Sequence, residues 1–290
     1  MDPTGETNAP GEAGADPGES QEALAPLPPH VSVGCAGLPP GLRRARYFQR
    51  LQYLENEGTR FQVPKGNVLR RWSADAGEAD DHTLGRFGLY APQEITDRPG
   101  KKGYPRSKRT WSREELWQAG GFRNTEVVRT AVATIAEACR ELSAGVVIFR
   151  SPPDFVPSAS NRDTLRAFFE SVAPAELFAD TLRVWEPMGL WEVLPAARLA
   201  VEMGVSLACD PLSANPIDHP EKLLTDLPGD TAYFRITGLG RGTQRYDDYD
   251  LEPLLDAVQT YKRTWIVFAH AHKYPDAIRC HRLLATLTAG

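Results

Sequence analysis

Eight short runs rich in β-branched and aromatic residues recur along the chain, separated by longer stretches whose apolar residues fall at helical spacing. They occupy residues 30–35, 52–57, 86–91, 144–150, 181–186, 204–210, 231–237 and 264–270. Within them, 145–149 and 265–268 are almost continuously apolar, the mark of strands covered on both faces. Such strands alternating with amphipathic helices predict βα units around a parallel sheet. Eight units fill the chain to its end, so the expected fold is a closed (β/α)8 barrel of the TIM type.

Helix signals agree with that spacing. Asn124 is placed to start a helix with Val128, Ala131, Val132, Ile135, Cys139 and Leu142 on one face. Asn161 is placed to cap a second, which carries Leu165, Phe168, Phe169 and Val172. Pro275 and Asp276 suit the first turn of the last helix. The connection at 97–121, after the third run, is longer than a usual βα loop and rich in Gly, Pro and charge, and is expected to pass over the pocket. An open doubly wound sheet is the competing architecture. It would show a phosphate-binding glycine loop after its first strand, but Gly34-Cys35-Ala36-Gly37 runs into Leu38-Pro39-Pro40, where no helix can start at once. There is no Walker motif either, which argues against nicotinamide and nucleoside triphosphate chemistry.

Residues 1–29 hold six prolines, four glycines and no aromatic residue, too little apolar surface to offset the entropy of ordering. A disordered acidic tail is expected there, leaving 30–290 as one barrel domain. The tail also explains the charge. Its six acids, with no Lys or Arg, account for the formal −5, and the remainder stands near +1. A balanced remainder argues against indiscriminate coating of nucleic acid and leaves room for local basic patches. No run approaches the ~18 apolar residues of a membrane-spanning helix, and the amino terminus lacks the basic start and apolar core of a secretory signal. A soluble, cytoplasmic protein is therefore expected, without a membrane partner. Cys35, Cys139, Cys209 and Cys280 stand far apart and are expected reduced and mostly buried.

In a barrel, chemistry gathers where strands end at the carboxyl face. The strand ends here hold Glu55 and Glu57, Arg150, Glu186, Asp210, Arg235 and His270. Alternation places Glu55 and Glu57 on one face, and like charges sharing a site raise one pKa, a route to a general acid at neutral pH. Structural ion pairing with Arg150 and Arg235 is the bland alternative. Glu55, Glu186, Asp210 and His270 are the catalytic candidates. Should a divalent metal be bound, His270, His272 and Asp210 are its candidate ligands; His272 can equally serve only to hydrogen-bond a loop. After the seventh run, Arg235, Gly238, Arg241 and Arg245 combine flexible glycines with guanidinium forks and, with Arg150, are the anion-binding candidates. Pairing with Asp247, Asp248 and Asp250 is the alternative for that loop. The excursion carries Arg98, Lys101, Lys102, Arg106, Lys108 and Arg109 among Tyr104 and Trp111, a mixture that suits a nucleic-acid backbone and its bases, or simply a solvated surface.

Read in order, the strand-end motifs resemble the YecE-like domain of unknown function, number seventy-two, over residues 31–288. Gly34-Cys35-Ala36-Gly37 is similar to its Gly-Cys-Ser-Gly, and residues 55–61 resemble its Val-Glu-Ile-Asn-Ser-Thr-Phe-Tyr stretch, with Glu55 on the glutamate. Ala91-Pro92 with Ile95-Thr96, residues 149–155, Glu186 with Trp191, residues 233–238 and Phe268 with Tyr274, Asp276, Ala277 and Arg279 match its later motifs. The resemblance implies a barrel and names no reaction. The chain departs from the family at Tyr90, where Lys is usual, at Arg150 for Gln, at Thr237 for His and at Ala269-His270 for Asn-Asn. Glu55, Glu186 and Arg235 keep their match. The leading expectation is an enzyme of hydrolase or lyase type acting on a small phosphorylated or carboxylated molecule. The alternatives are a nucleic-acid binding or processing protein using residues 98–109, and a non-catalytic scaffold.

Overall fold

A computed structural model describes residues 24–77, 84–104, 106, 107, 109–212, 224–238 and 245–288. Each expected run becomes one strand: β1 (Val31–Ala36), β2 (Tyr53–Asn56), β3 (Phe87–Tyr90), β4 (Val146–Arg150), β5 (Leu182–Glu186), β6 (Ser206–Cys209), β7 (Thr231–Ile236) and β8 (Arg263–Phe268). They pair in sequence order, all parallel, and β8 returns to pair with β1, which closes the barrel. Closure leaves no strand edge exposed.

Alternation along the strands divides the apolar residues between two sides. One set, including Val33, Leu54, Leu89, Phe149, Trp185, Phe234 and Ile266, packs outward against the helices. The other fills the barrel: Tyr53, Tyr90, Val146, Ile148, Val184, Ala208, Tyr233, Trp265 and Val267. The longer helices are α1 (Asn67–Ala76), α2 (Glu126–Leu142), α3 (Ala159–Ser171), α4 (Val193–Glu202), α5 (Pro253–Thr260) and α6 (Lys273–Ala285). α2 buries Val128, Ala131, Val132, Ile135, Cys139 and Leu142 as their spacing predicts, and stops at Ser143 in a left-handed conformation. All four cysteines are buried and free. Among the described residues no helix is long and apolar enough to cross a membrane.

Two helix starts differ from expectation. Thr125, not Asn124, caps α2, its hydroxyl accepting from the Val128 N–H, while Asn124 accepts from Arg129. Ser158, not Asn161, caps α3: Asn161 lies inside the first turn and donates its own N–H to Ser158 Oγ. Both residue types cap well, and the position falls to the residue whose side chain accepts the backbone N–H three residues on. Residues 1–23 of the expected tail lie outside the described residues. Residues 24–29, assigned to that tail, instead lie against the barrel: Leu27 is buried, and the Ala25 carbonyl sits 2.7 Å from His281 Nε2.

Candidate functional site

At the carboxyl ends of β2, β4, β5 and β7, charged side chains meet in one bonded cluster, joined by Tyr90 of β3. Arg235 is its hub. Its Nε donates to Glu55 Oε2 at 3.2 Å, its Nη2 to Glu57 Oε1 at 2.6 Å, and its Nη1 lies 3.4 Å from Glu186 Oε1. Arg150 stands opposite Glu186 in the β4–β5 register and grips both its oxygens, from Nε at 2.6 Å and Nη2 at 3.1 Å. Arg150 Nη2 also reaches Glu57 Oε1 at 3.3 Å and Tyr90 Oη at 2.9 Å. The Tyr90 hydroxyl donates to Glu186 Oε2, and its ring lies under Arg150, 4.6 Å from guanidinium carbon to centroid. Two guanidiniums thus serve three carboxylates.

Below this layer two tyrosines support Glu55. Tyr233 Oη donates to Glu55 Oε1 at 2.6 Å, and Tyr53 Oη lies 2.9 Å from Tyr233 Oη. Since the Tyr233 proton is committed to the carboxylate, Tyr53 must donate to Tyr233, so the chain of hydroxyls points toward Glu55. Gly88 makes this possible: a Cβ there would stand 1.9 Å from the Tyr53 hydroxyl.

Burial governs the protonation of these groups. Glu55, fully enclosed, has its pKa raised by desolvation first; Arg235 opposes the shift, Glu186 and Glu57 add to it, and the Tyr233 hydrogen bond opposes it. Desolvation likewise holds Tyr53, Tyr90 and Tyr233 protonated, far above the ordinary phenol range. Burial works against the charge on Arg150 and Arg235, yet the acidic groups around them outweigh it and raise both. The result is a buried carboxyl whose pKa is raised, beside two permanent cations.

The other expected site residues go elsewhere. Asp210 ties the ends of β6 and β7 together, its Oδ2 accepting from the Thr237 N–H at 2.7 Å and hydroxyl at 2.6 Å, and its Oδ1 from the Leu212 N–H. His270 accepts the His272 N–H at Nδ1, 3.3 Å away, and turns Nε2 toward Asp276 Oδ2 at 3.6 Å. Its side chain is 2% exposed, and Nε2 is shut away from solvent. Among the described residues no group of three or more His, Cys, Asp or Glu is arranged to hold a metal ion, and the suggested His270, His272 and Asp210 set does not assemble. Gly238 adopts φ +105°, and a Cβ there would press within 3.0 Å of His270 Cβ; it serves packing at that seam. Arg245 is not answered by Asp247, Asp248 or Asp250 as weighed above, but lies 3.3 Å from fully buried Asp276. Arg241 lies outside the described residues.

The excursion is also committed to itself in part. Tyr104 is buried, donates to the Asp97 carbonyl and meets Trp111 edge-on. Arg109 covers the Trp111 ring and pairs with Glu115. Arg106 lies over Phe61, and Arg60 pairs with Asp97, so the excursion leans on the β2 loop at the rim. Arg98, Lys101 and Lys102 are exposed, and Lys108 lies outside the described residues.

Sequence reasoning missed Tyr53 and Tyr233 as site residues, although the signal was present. Tyr53 precedes Glu55 by two, and Tyr233 precedes Arg235 by two, which puts each on the same inward face. Gly88 left no such trace, because its role depends on which strand lies beside it.

A parallel eight-stranded barrel with a charged carboxyl-end cluster is the class that fold and site define. No protein-family profile matches the chain, and no curated protein matches it in sequence. Among solved structures it is similar to a DUF72 family protein from Enterococcus faecalis. One structure of that protein gives a TM-score of 0.61 at 13% identity over 88% of this chain and 95% of that one. A second gives 0.59 at 13% over 90% and 98%. This is the family that the strand-end motifs resemble. The chain is similar, too, to a D-tagatose 3-epimerase-like protein, with a TM-score of 0.55 at 13% identity over 89% and 97%. At these identities the likeness establishes the barrel.

Proposed function

We propose that the barrel mouth is the active site of an enzyme performing acid–base chemistry on a small anionic molecule, carboxylated or phosphorylated. Arg150 and Arg235 would hold the anion, and Glu55 and Glu186 would exchange protons with the substrate. One observation carries this reading: two part-buried guanidiniums are shared by three carboxylates at the carboxyl mouth. An apolar filling would stabilise a barrel at least as well as such a cluster, since buried ion pairs repay their desolvation poorly. The carboxyl mouth is also where barrels of this type place their chemistry. A carboxyl whose pKa is raised by burial suits proton exchange with a bound substrate.

A clamp for nucleic acid on residues 98–109 has less support, because Tyr104 and Trp111, which would stack on bases, are occupied within the excursion. A non-catalytic scaffold accounts less well for Glu57, whose side chain is 45% exposed within the cluster. The buried thiols are in keeping with a cytoplasmic location. The test is ligand-induced thermal stabilisation over a panel of small carboxylates and phosphates. Stabilising ligands are expected to lose their effect in Glu55→Gln and Arg235→Ala; equal shifts in the variants and the parent would defeat the proposal.

A further inference from the structure

The three carboxylates of the mouth are not equivalent. Glu55 is fully buried and Glu186 nearly so; releasing either from its arginines would leave a charge stranded in the barrel. Glu57 differs, because its side chain is 45% exposed and can turn into water. Its Oε1 nevertheless sits where both guanidiniums converge, 2.6 Å from Arg235 Nη2 and 3.3 Å from Arg150 Nη2. The backbone beneath it is fixed: Glu57 opens a 3-10 turn (Glu57–Arg60) anchored by buried Thr59. The Thr59 hydroxyl lies 2.8 Å from the carbonyl oxygens of Asn56 and Tyr90 and accepts the Tyr90 N–H. Only the side chain needs to move.

We propose that Glu57 occupies the place of a ligand's carboxylate, bridging Arg150 and Arg235 until a carboxylated small molecule displaces it. The proposal rests on the reading of the mouth as an anion-handling site. It narrows the ligand class for two reasons. The group already gripped there is a carboxylate, so the spacing of the two Nη2 atoms suits one. Once Glu57 turns outward, Glu55 and Glu186 balance the two arginines, and a monoanion restores the charge that left; a phosphate dianion adds a second negative charge beside two buried acids. Glu57 then acts as an internal competitor that lowers the apparent affinity of the free site.

The test is titration calorimetry of acetate and of inorganic phosphate, at constant ionic strength, into the parent protein, Glu57→Ala and Glu57→Gln. Acetate affinity is expected to rise at least tenfold in both variants, and phosphate affinity by less. The gain should vanish in a Glu57→Ala/Arg150→Gln double variant whose fold is verified by circular dichroism; a gain that persists there lies outside this site and overturns the proposal. Equal acetate affinity in parent and single variants overturns the displacement while leaving an anion site at the mouth. A larger gain for phosphate overturns the carboxylate assignment. Absence of binding by either anion to all three proteins contradicts the anion-handling reading itself.

Discussion

His270 is held neutral by its surroundings. Burial lowers its pKa; Asp276 pulls the other way, His272 adds to the lowering, Asp210 opposes it and Lys273 adds again, with the net direction downward from 6.5. A histidine whose folded pKa is depressed stabilises the protein fully above its unfolded value, and the contribution is lost as pH falls through the folded value. His270→Gln is therefore expected to flatten the loss of urea-unfolding free energy below about pH 6.5; an unchanged slope would show that the acid sensitivity lies in other groups. The same burial explains why a His-x-His spacing misled as a metal signal. Spacing shows that two rings are near each other in sequence, whereas the setting of the His270 ring is decided by Asp276 and by the His272 N–H. Tyr90 and Arg150, two of the departures from the resembled family, meet in space, with the ring beneath the guanidinium.

Between elements, the approach of β3 to β2 depends on Gly88. In the register Glu55 pairs with Gly88, and the Tyr53 ring, one turn of the pleat below Glu55, fills the space a Cβ would need. Tyr53 is fully buried and cannot swing away. Gly88→Ala is expected to cost roughly 1–3 kcal/mol in unfolding free energy, as overpacking does, and to break the Tyr53–Tyr233 contact; a neutral effect would mean the strands part more easily than this packing implies. Strands were legible because eight short runs rich in β-branched and aromatic residues recur between stretches of helical spacing, which only a repeated βα unit explains. Helix starts were less so: in the run Pro157-Ser158-Ala159-Ser160-Asn161 several residue types can cap, and only the backbone shows that Ser158 does. Residues 24–29 read as tail because composition averages over Leu24 and Leu27, whose side chains pack against the barrel core.

For the whole molecule, closure of β8 onto β1 is what turns residues far apart in sequence into one site. Glu55, Glu57, Glu186, Arg150 and Arg235 come from four strands or the turns that end them, and each was legible as a strand-end residue. Their mutual pairing was not, since sequence shows which side chains face the mouth but not which carboxylate takes which guanidinium, nor that Glu57 alone stays half exposed. Asp210 and His270 share the rim yet are bound into loop contacts, so position at the carboxyl end was necessary for a place in the cluster and not sufficient. A crystal structure of the protein soaked in acetate tests the account most directly. The account predicts a carboxylate bridging Arg150 and Arg235 with Glu57 turned toward solvent; Glu57 still bonded to both arginines, with acetate bound only at other surfaces, would contradict it.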